Sequence, residues 1–250
     1  MRFLFVGDSM TIGRAGDFTW RYRMWRHLES VLPGPGAYEI TGPRTALYEP
    51  ADDAATSEAY ADPAFPAGAR RHLAGWGEGW LHMAPLIGET VARTRADVLL
   101  VSLGLIDLGF YTNSEQTAGN VRAFLAAARA ANPHVRVVML PVIPNVRAEY
   151  DAPFAAECER FNELLAKTVA DLDSAASPLL LGTVPESYDI HADTYDGTHP
   201  GPSGEHKLAA AFADALHQAW GVGGPYAGQT GQAGQAGQGS ADGMGLRRRG

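Results

Sequence analysis

The sequence has a single cysteine and fewer basic than acidic residues. With only Cys158 among 250 residues, no disulfide can form within the chain. The formal net charge of -8 argues against a general nucleic-acid-binding protein, because that function needs a basic face. We therefore expect no nucleic-acid partner, although a local basic cluster is present at Arg14, Arg21, Arg23 and Arg26.

Long apolar runs are missing as well. None approaches the roughly 20 residues that a membrane-spanning helix requires, so we expect no membrane partner. The run Phe3–Val6 is too short for the apolar core of a signal peptide. We therefore expect a cytoplasmic location.

The common signatures of cofactor sites are also missing. No Gly-x-Gly-x-x-Gly follows the first apolar run, and no Walker A pattern occurs, which argues against the usual nucleotide-binding motifs. No two histidines have the spacing of metal ligands, and one cysteine cannot supply a thiolate cluster. We therefore predict that the function needs neither a cofactor nor a metal.

What is present is an alternation of strand and helix patterns along a chain that is 46% hydrophobic and 19% charged. This alternation predicts an α/β protein, a three-layer αβα sandwich whose parallel sheet of about five strands is covered on both faces. The predicted strands are Phe3–Val6, Tyr38–Ile40, Asp97–Leu103, Val135–Leu140 and Leu179–Leu181. The predicted helices lie at Trp20–Val31, Leu81–Thr94, Val121–Ala128, Phe154–Val169 and Leu208–Ala219.

Two segments break this alternation. Residues 42–74 are irregular and rich in proline, and loops of this length are usually functional or disordered. We interpret them as an excursion at the carboxyl edge of the sheet that shapes a pocket. Residues 222–250 are rich in Gly, Gln and Ala and cannot bury enough apolar surface to offset their chain entropy. We therefore predict one domain over residues 1–221, followed by a disordered tail.

A candidate nucleophile follows the first predicted strand. The sequence Gly-Asp-Ser, which ends at Ser9, comes directly after Phe3–Val6, and ligands of open α/β sheets bind at the carboxyl ends of the strands. A serine here can also serve as a turn or capping residue. It becomes a nucleophile only if a base and an orienting carboxylate reach it. Asp196 and His199 offer such a pair ahead of the last predicted helix.

The combination of Gly-Asp-Ser at the first strand with Asp-x-x-His before the last helix resembles the SGNH/GDSL hydrolase family. The resemblance extends from the first residue to about Trp220. It implies the three-layer αβα fold and a catalytic triad. In that triad Ser9 attacks an acyl carbonyl, His199 transfers the proton, and Asp196 orients His199.

The same resemblance implies an oxyanion hole with three donors. These are the amide of Ser9, a glycine amide from a second motif and an asparagine side chain from a third. The second motif matches the sequence His-Leu-Ala-Gly-Trp that ends at Trp76, so Gly75 is the candidate donor. Gly77 is the alternative two residues later.

The third motif departs from the pattern of the family. It normally reads Gly-x-Asn-Asp, but here it reads Gly-Leu-Ile-Asp, with Ile106 at the asparagine position. An isoleucine side chain donates no hydrogen bond, and losing one oxyanion donor typically costs about 10²–10³ in rate. Asn113 and Asn145 are nearby candidates in sequence for a replacement donor.

We therefore predict a serine hydrolase of the SGNH/GDSL type that cleaves an ester or related acyl bond of a small-molecule substrate. The isoleucine in the third motif leaves two alternatives open. One is an acyltransferase that uses the same serine, and the other is a catalytically silent homologue that only binds a ligand. The predicted substrate-binding residues are Asp8, Trp76, Ile106 and Asp107.

Overall fold

Eight strands are present in the structure, a computed structural model that describes residues 1–228. They are β1 (Arg2–Gly7), β2 (Glu39–Thr41), β3 (Leu47–Glu49), β4 (Ala54–Ser57), β5 (Leu73–Ala74), β6 (Val98–Ser102), β7 (Arg136–Met139) and β8 (Leu179–Leu181). Six of them form one parallel sheet in the order β2-β1-β6-β7-β8, with β5 paired to the end of β1. The five predicted strands are confirmed, and β5 is a sixth that sequence analysis left inside the irregular segment.

Helices cover both faces of this sheet. They are α1 (Ser9–Ile12), α2 (Trp20–Val31), α3 (Trp80–Thr94), α4 (Ser114–Ala131), α5 (Ala152–Leu172), α6 (Ile190–Asp193) and α7 (Pro202–Trp220). Helix α2 has the predicted bounds, whereas α4 begins earlier than its apolar pattern because Asn113 caps it and accepts from the amide of Gln116 at 2.9 Å. Pro85 lies inside α3.

Alternate residues of β1 point to opposite faces of the sheet. Phe3 and Phe5 pack in the apolar cluster that includes α2 and α7, and Leu4 and Val6 pack in the cluster that includes α3, α4 and α5. All four side chains are fully buried. A parallel strand buried on both faces reads as a continuous apolar run, which is why this strand was evident in the sequence.

The irregular segment 42–74 contains the antiparallel hairpin β3–β4 and lies beside α1. In β3, the amide of Tyr48 donates to the carbonyl oxygen of Gly13 at 3.0 Å, and its own carbonyl accepts from the amide of Ala15 at 2.8 Å. The buried ring of His72 holds the other end of the segment, with Nε2 3.1 Å from the carbonyl oxygen of Ala46. The predicted excursion is therefore anchored next to the carboxyl end of β1.

The first residues of the predicted tail pack on the domain. Within residues 222–228, the amide of Tyr226 donates to Asp214 at 2.8 Å, and its hydroxyl lies 2.7 Å from Nδ1 of His206. Residues 222–228 of the predicted tail therefore contact α7, and residues 229–250 lie outside the described residues. No helix within residues 1–228 is both long enough and apolar enough to cross a membrane.

Candidate active site

The turn after β1 places Ser9 at the carboxyl edge of the sheet. A side chain at Gly7 would not fit, since its Cβ would lie 1.9 Å from Oγ1 of Thr11. Asp8 caps the short helix α1, and its Oδ1 accepts from the amide of Met10 at 3.0 Å. Ser9 is therefore held on the first turn of α1, where its side chain faces a cavity.

A chain of hydrogen bonds joins Ser9 to the two residues of the Asp-x-x-His sequence. Nε2 of His199 lies 2.9 Å from Oγ of Ser9, although the two residues are 190 positions apart. Nδ1 of the same ring lies 2.7 Å from Oδ2 of Asp196. With Nδ1–H donating to Asp196, Nε2 is free to accept the serine proton. The three predicted catalytic residues are thus brought together in a serine, histidine and carboxylate arrangement.

The loop between α6 and α7 presents this carboxylate. Oδ1 of Asp196 accepts from the amides of Thr198 at 3.0 Å and His199 at 2.8 Å, which leaves Oδ2 for the imidazole. Partial burial opposes ionisation, but the hydrogen bonds from the amide and ring of His199 outweigh it and lower the pKa of Asp196. Asp196 is therefore ionised near neutral pH and able to hold the imidazole ring.

Aromatic rings pack against the imidazole of His199. The ring of Trp76 is stacked on it at 4.6 Å and 15°, and the ring of Tyr195 at 5.7 Å and 18°. Tyr48 in turn stacks on Trp76 at 4.1 Å and 12°. Trp76 was predicted from the sequence, but Tyr48 and Tyr195 were not, and for Tyr48 the reason is that a stack between distant segments has no local periodicity. The only local signal was the position of Tyr195 directly before Asp196.

A cavity of about 380 Å³ opens beside Ser9 and His199. One part of its wall is apolar and comes from the loop after β6 and from α5. Other parts are polar and come from the loop after β7 and the loop before α7. The lining residues are Ser9, Trp76, Gly77, Leu105, Ile106, Gly109, Phe110, Tyr111, Asn145, Arg147, Phe154, Thr198 and His199. This cavity is the space next to the candidate nucleophile that a substrate would enter.

The structure favours Gly77 over Gly75 as the glycine donor to an oxyanion. The amide of Gly75, the predicted donor, already donates to the carbonyl oxygen of Gly7 at 3.2 Å. Gly77 lines the cavity with a φ of 70°, a conformation that suits glycine. Among the described residues, the amides of Ser9 and Gly77 donate to no other group, so both are available to a ligand.

The two candidates for the missing asparagine donor lie in different places. Asn113 caps α4 and is absent from the cavity lining. Asn145 lines the cavity, and its Nδ2 donates to Oγ1 of Thr198 at 3.2 Å. An amide group has two N–H donors, so Asn145 keeps a second one. Ile106 also lines the cavity, and its apolar side chain has no hydrogen-bond donor.

Asp8 and Asp107, which were predicted to contact the substrate, are fully buried and accept hydrogen bonds from backbone amides. The carboxylate of Asp107 accepts from the amides of Trp80 at 2.8 Å and Leu81 at 3.0 Å, which caps α3. Burial raises the pKa of Asp8 to about 7. Its Oδ2 has no hydrogen-bond partner among the described residues. Trp76 and Ile106 line the cavity, and their contact with substrate stays a prediction.

The four arginines of the basic cluster differ in burial, and only Arg14 and Arg26 are exposed. The guanidinium of Arg21 is fully buried and donates to the carbonyl oxygens of Thr11 at 2.8 Å and Ile12 at 3.0 Å, so it supports the helix that carries Ser9. Arg23 pairs with Glu205. Arg14 is exposed and lies over the ring of Tyr195, 4.6 Å from its centre.

The fold and this geometry define an α/β protein with the residue arrangement of a serine hydrolase. The chain belongs to the GDSL-like lipase/acylhydrolase family, whose family model matches residues 5–207. It is therefore a member of a family of serine esterases and acyl hydrolases. Within residues 1–228, no group of three His, Cys, Asp or Glu side chains is arranged to hold a metal ion.

Solved structures of esterases share this fold. A carbohydrate esterase of family 3 from Talaromyces cellulolyticus is 23% identical, with a TM-score of 0.71 over 87% of this chain and 97% of that one. A family 3 carbohydrate esterase from Clostridium thermocellum is 18% identical, with a TM-score of 0.65 over 86% and 94%. A catalytic mutant of an acetylxylan esterase from Geobacillus stearothermophilus is 14% identical, with a TM-score of 0.61 over 86% and 93%. A search of curated protein sequences found no significant match.

Proposed function

We propose that the protein hydrolyses a carboxylic ester with Ser9 as nucleophile, His199 as general base and acid, and Asp196 as the group that orients His199. The observation that carries this proposal is the hydrogen-bonded chain of 2.9 Å from Ser9 to His199 and 2.7 Å from His199 to Asp196. Membership of a family of acyl hydrolases supports the reaction class.

Acylation of the serine is the first half of the reaction. Oγ of Ser9 attacks the acyl carbon while Nε2 of His199 takes the hydroxyl proton, and the carbonyl oxygen becomes an oxyanion. The free amides of Ser9 and Gly77 donate hydrogen bonds to that oxyanion. The imidazolium then gives its proton to the alcohol oxygen, the bond between carbon and that oxygen breaks, and an acyl group remains on Ser9.

Hydrolysis of the acyl group is the second half. His199 removes a proton from a water molecule, which attacks the acyl carbon, and the imidazolium returns the proton to Oγ of Ser9. The products are a carboxylic acid and the free enzyme. Since the solved relatives include carbohydrate and acetylxylan esterases, acetylated sugars are the first natural substrates that we would test.

The proposal is tested with a fluorophosphonate probe and intact-mass analysis, on the wild type and on Ser9→Ala. We expect one covalent adduct on the wild type and none on the variant, because only an activated serine reacts with this probe. Ser203, which lies near α6 on the surface, provides the matched control: Ser203→Ala should be labelled like the wild type. A folded wild-type protein that forms no adduct would refute the proposal.

An acyltransferase that uses the same Ser9 is the second candidate. The observation that favours it is the apolar wall at Leu105, Ile106 and Phe154, which disfavours water near an acyl-enzyme. With an aryl ester and excess alcohol or amine, product formed only in the presence of the acceptor would support transfer. Release of the carboxylic acid at the same rate with and without the acceptor would support hydrolysis.

A further inference from the structure

We propose that Trp76 and Tyr195 are positioning residues for the catalytic histidine. Their rings hold the plane of the His199 imidazole in line with Ser9 and Asp196, and they stabilise the imidazolium that forms when the serine loses its proton. This inference rests on the proposed function, because it assigns a purpose to the stack only if His199 is the general base.

The stacked rings restrict the orientation of the His199 imidazole. The hydrogen bonds at Nδ1 and Nε2 fix the imidazole at two points, toward Asp196 and Ser9. A ring fixed at two points can still tilt about the line that joins them. Flat contact with its faces opposes that tilt, and the rings of Trp76 and Tyr195 lie within 15° and 18° of the imidazole plane.

The stacked rings are themselves held by neighbouring side chains and backbone groups. Tyr48 stacks on Trp76 at 4.1 Å, and its hydroxyl donates to Oδ1 of Asp53 at 2.7 Å. Tyr195 and His199 lie in the same loop, and the amide of Tyr195 donates to the carbonyl oxygen of His199 at 3.0 Å. The guanidinium of Arg14 packs over the ring of Tyr195. The catalytic ring is thus in contact with side chains from separate parts of the chain.

The stacked rings also act on the charge of the imidazole. The ring gains a positive charge when it takes the serine proton. The face of an aromatic ring attracts a cation, most strongly for tryptophan. Only 16% of the His199 side chain is exposed, so water screens this attraction only partly. The stack therefore favours the charged state of His199 that accompanies the transition state.

Of the two positions, Tyr195 allows the stack to be changed without a change in the cavity wall. Trp76 lines the cavity, so a change there alters substrate contacts as well as the stack. Tyr195 is not part of the cavity lining, and 41% of it is exposed, so a substitution should neither unfold the protein nor alter the binding surface. We would compare Tyr195→Leu with Tyr195→Phe, which keeps the ring and removes the hydroxyl. Tyr150→Leu, at an exposed tyrosine outside the cavity lining, is the control.

We expect Tyr195→Leu to lower kcat for an aryl ester about tenfold with KM unchanged, because misplacement of a catalytic group slows the chemical step. Tyr195→Phe should restore kcat to within about twofold of the wild type. In the same way, Trp76→Phe should keep more of the activity than Trp76→Leu. Labelling of Ser9 by the fluorophosphonate probe should slow in parallel with kcat.

Two results would overturn the inference. One is a wild-type kcat in Tyr195→Leu together with equal activity of the two Trp76 variants. The other is an equal loss in Tyr195→Phe and Tyr195→Leu, which would assign the effect to the hydroxyl group. Failure of the proposed function looks different, because then Ser9→Ala and His199→Ala would keep the activity of the wild type.

Discussion

At the scale of single residues, burial decides what each polar group next to Ser9 can do. Asp8 and Asp107 sit in motifs that suggested contact with substrate, yet both are fully buried and accept from backbone amides. Gly75 and Gly77 differ in the same way, since only the second has a free amide at the cavity. None of these assignments follows from residue type, because hydrogen-bond partners are set by long-range packing.

The buried carboxyl group of Asp8 should make stability depend on pH. Its pKa is raised by burial to about 7, against about 3.9 in an unfolded chain. Between these values the native state binds more protons than the unfolded state, so the free energy of unfolding falls as pH rises. The loss is on the order of 4 kcal/mol when complete, above about pH 7.

Asp8→Asn removes this titration while keeping a side-chain oxygen for the amide of Met10. We expect the stability of the variant relative to the wild type to increase from pH 5 to about pH 7 and then to level off, measured by urea unfolding. Asp52→Asn, at an exposed aspartate, is the control. A constant difference between Asp8→Asn and the wild type across this pH range would contradict the prediction.

The isoleucine in the third motif leads to a prediction about rate. If the oxyanion has only the amides of Ser9 and Gly77, Ile106→Asn should supply a third donor and raise kcat for p-nitrophenyl acetate by up to about 10²-fold. Ile106→Leu, which adds no donor, should leave kcat within a few-fold of the wild type. Steady-state kinetics compares the three proteins. An unchanged kcat in Ile106→Asn would mean that another group, such as Asn145, already fills the role.

At the scale of elements, the site depends on how loops at the carboxyl edge are tied to the helices beside them. The loop after β6 contributes Leu105 and Ile106 to the cavity and, one residue later, the carboxylate that caps α3. Gly79 lets the two approach closely, since a Cβ there would lie 2.2 Å from Oδ2 of Asp107. The position of the cavity wall is therefore coupled to the start of α3.

Asp107→Ala should uncouple this loop from α3. Removal of the carboxylate leaves the amides of Trp80 and Leu81 without their acceptor, in a buried place where an unmet donor costs about 1–3 kcal/mol. We expect a loss of stability in that range, measured by urea unfolding. Asp189→Ala, which removes an exposed cap from α6, should cost about 1 kcal/mol or less. Equal losses in the two variants would show that burial of the Asp107 cap has no effect.

At the scale of the whole molecule, the sequence was informative where structure is local. The strands β1, β6, β7 and β8 are apolar runs, and their places were predicted to within about a residue or two at each end. The segment 42–74 was recognised as an excursion, but not its hairpin, because β3 and β4 are short and partly exposed. The stack of Trp76 on His199, and of Tyr48 on Trp76, was beyond sequence patterns, since both tryptophan and tyrosine lie more than 100 positions from His199.

The fold must also keep Ser9, which lies near the start of the chain, next to His199, which lies 190 positions later. A buried ion pair between α2 and α7 links these halves. The carboxylate of Glu205 lies 2.8 Å from Nη2 of Arg23 and accepts from the amide of Thr19 at 2.8 Å. Burial raises the pKa of Glu205, and Arg23 opposes that shift.

Removing one partner of this ion pair should lower the free energy of unfolding more than replacing both partners. Glu205→Gln keeps an acceptor for the amide of Thr19 but leaves the largely buried charge of Arg23 without its partner. Arg23→Leu leaves the buried charge of Glu205 without its partner. We expect each to lower the free energy of unfolding by about 3 kcal/mol. The double variant holds no buried charge, so its loss should be clearly smaller than the sum of the two, as a double-mutant cycle by urea unfolding would measure. Additive losses would mean that the two side chains stabilise the protein independently, and the link between the halves would then rest on the apolar packing of α2 against α7.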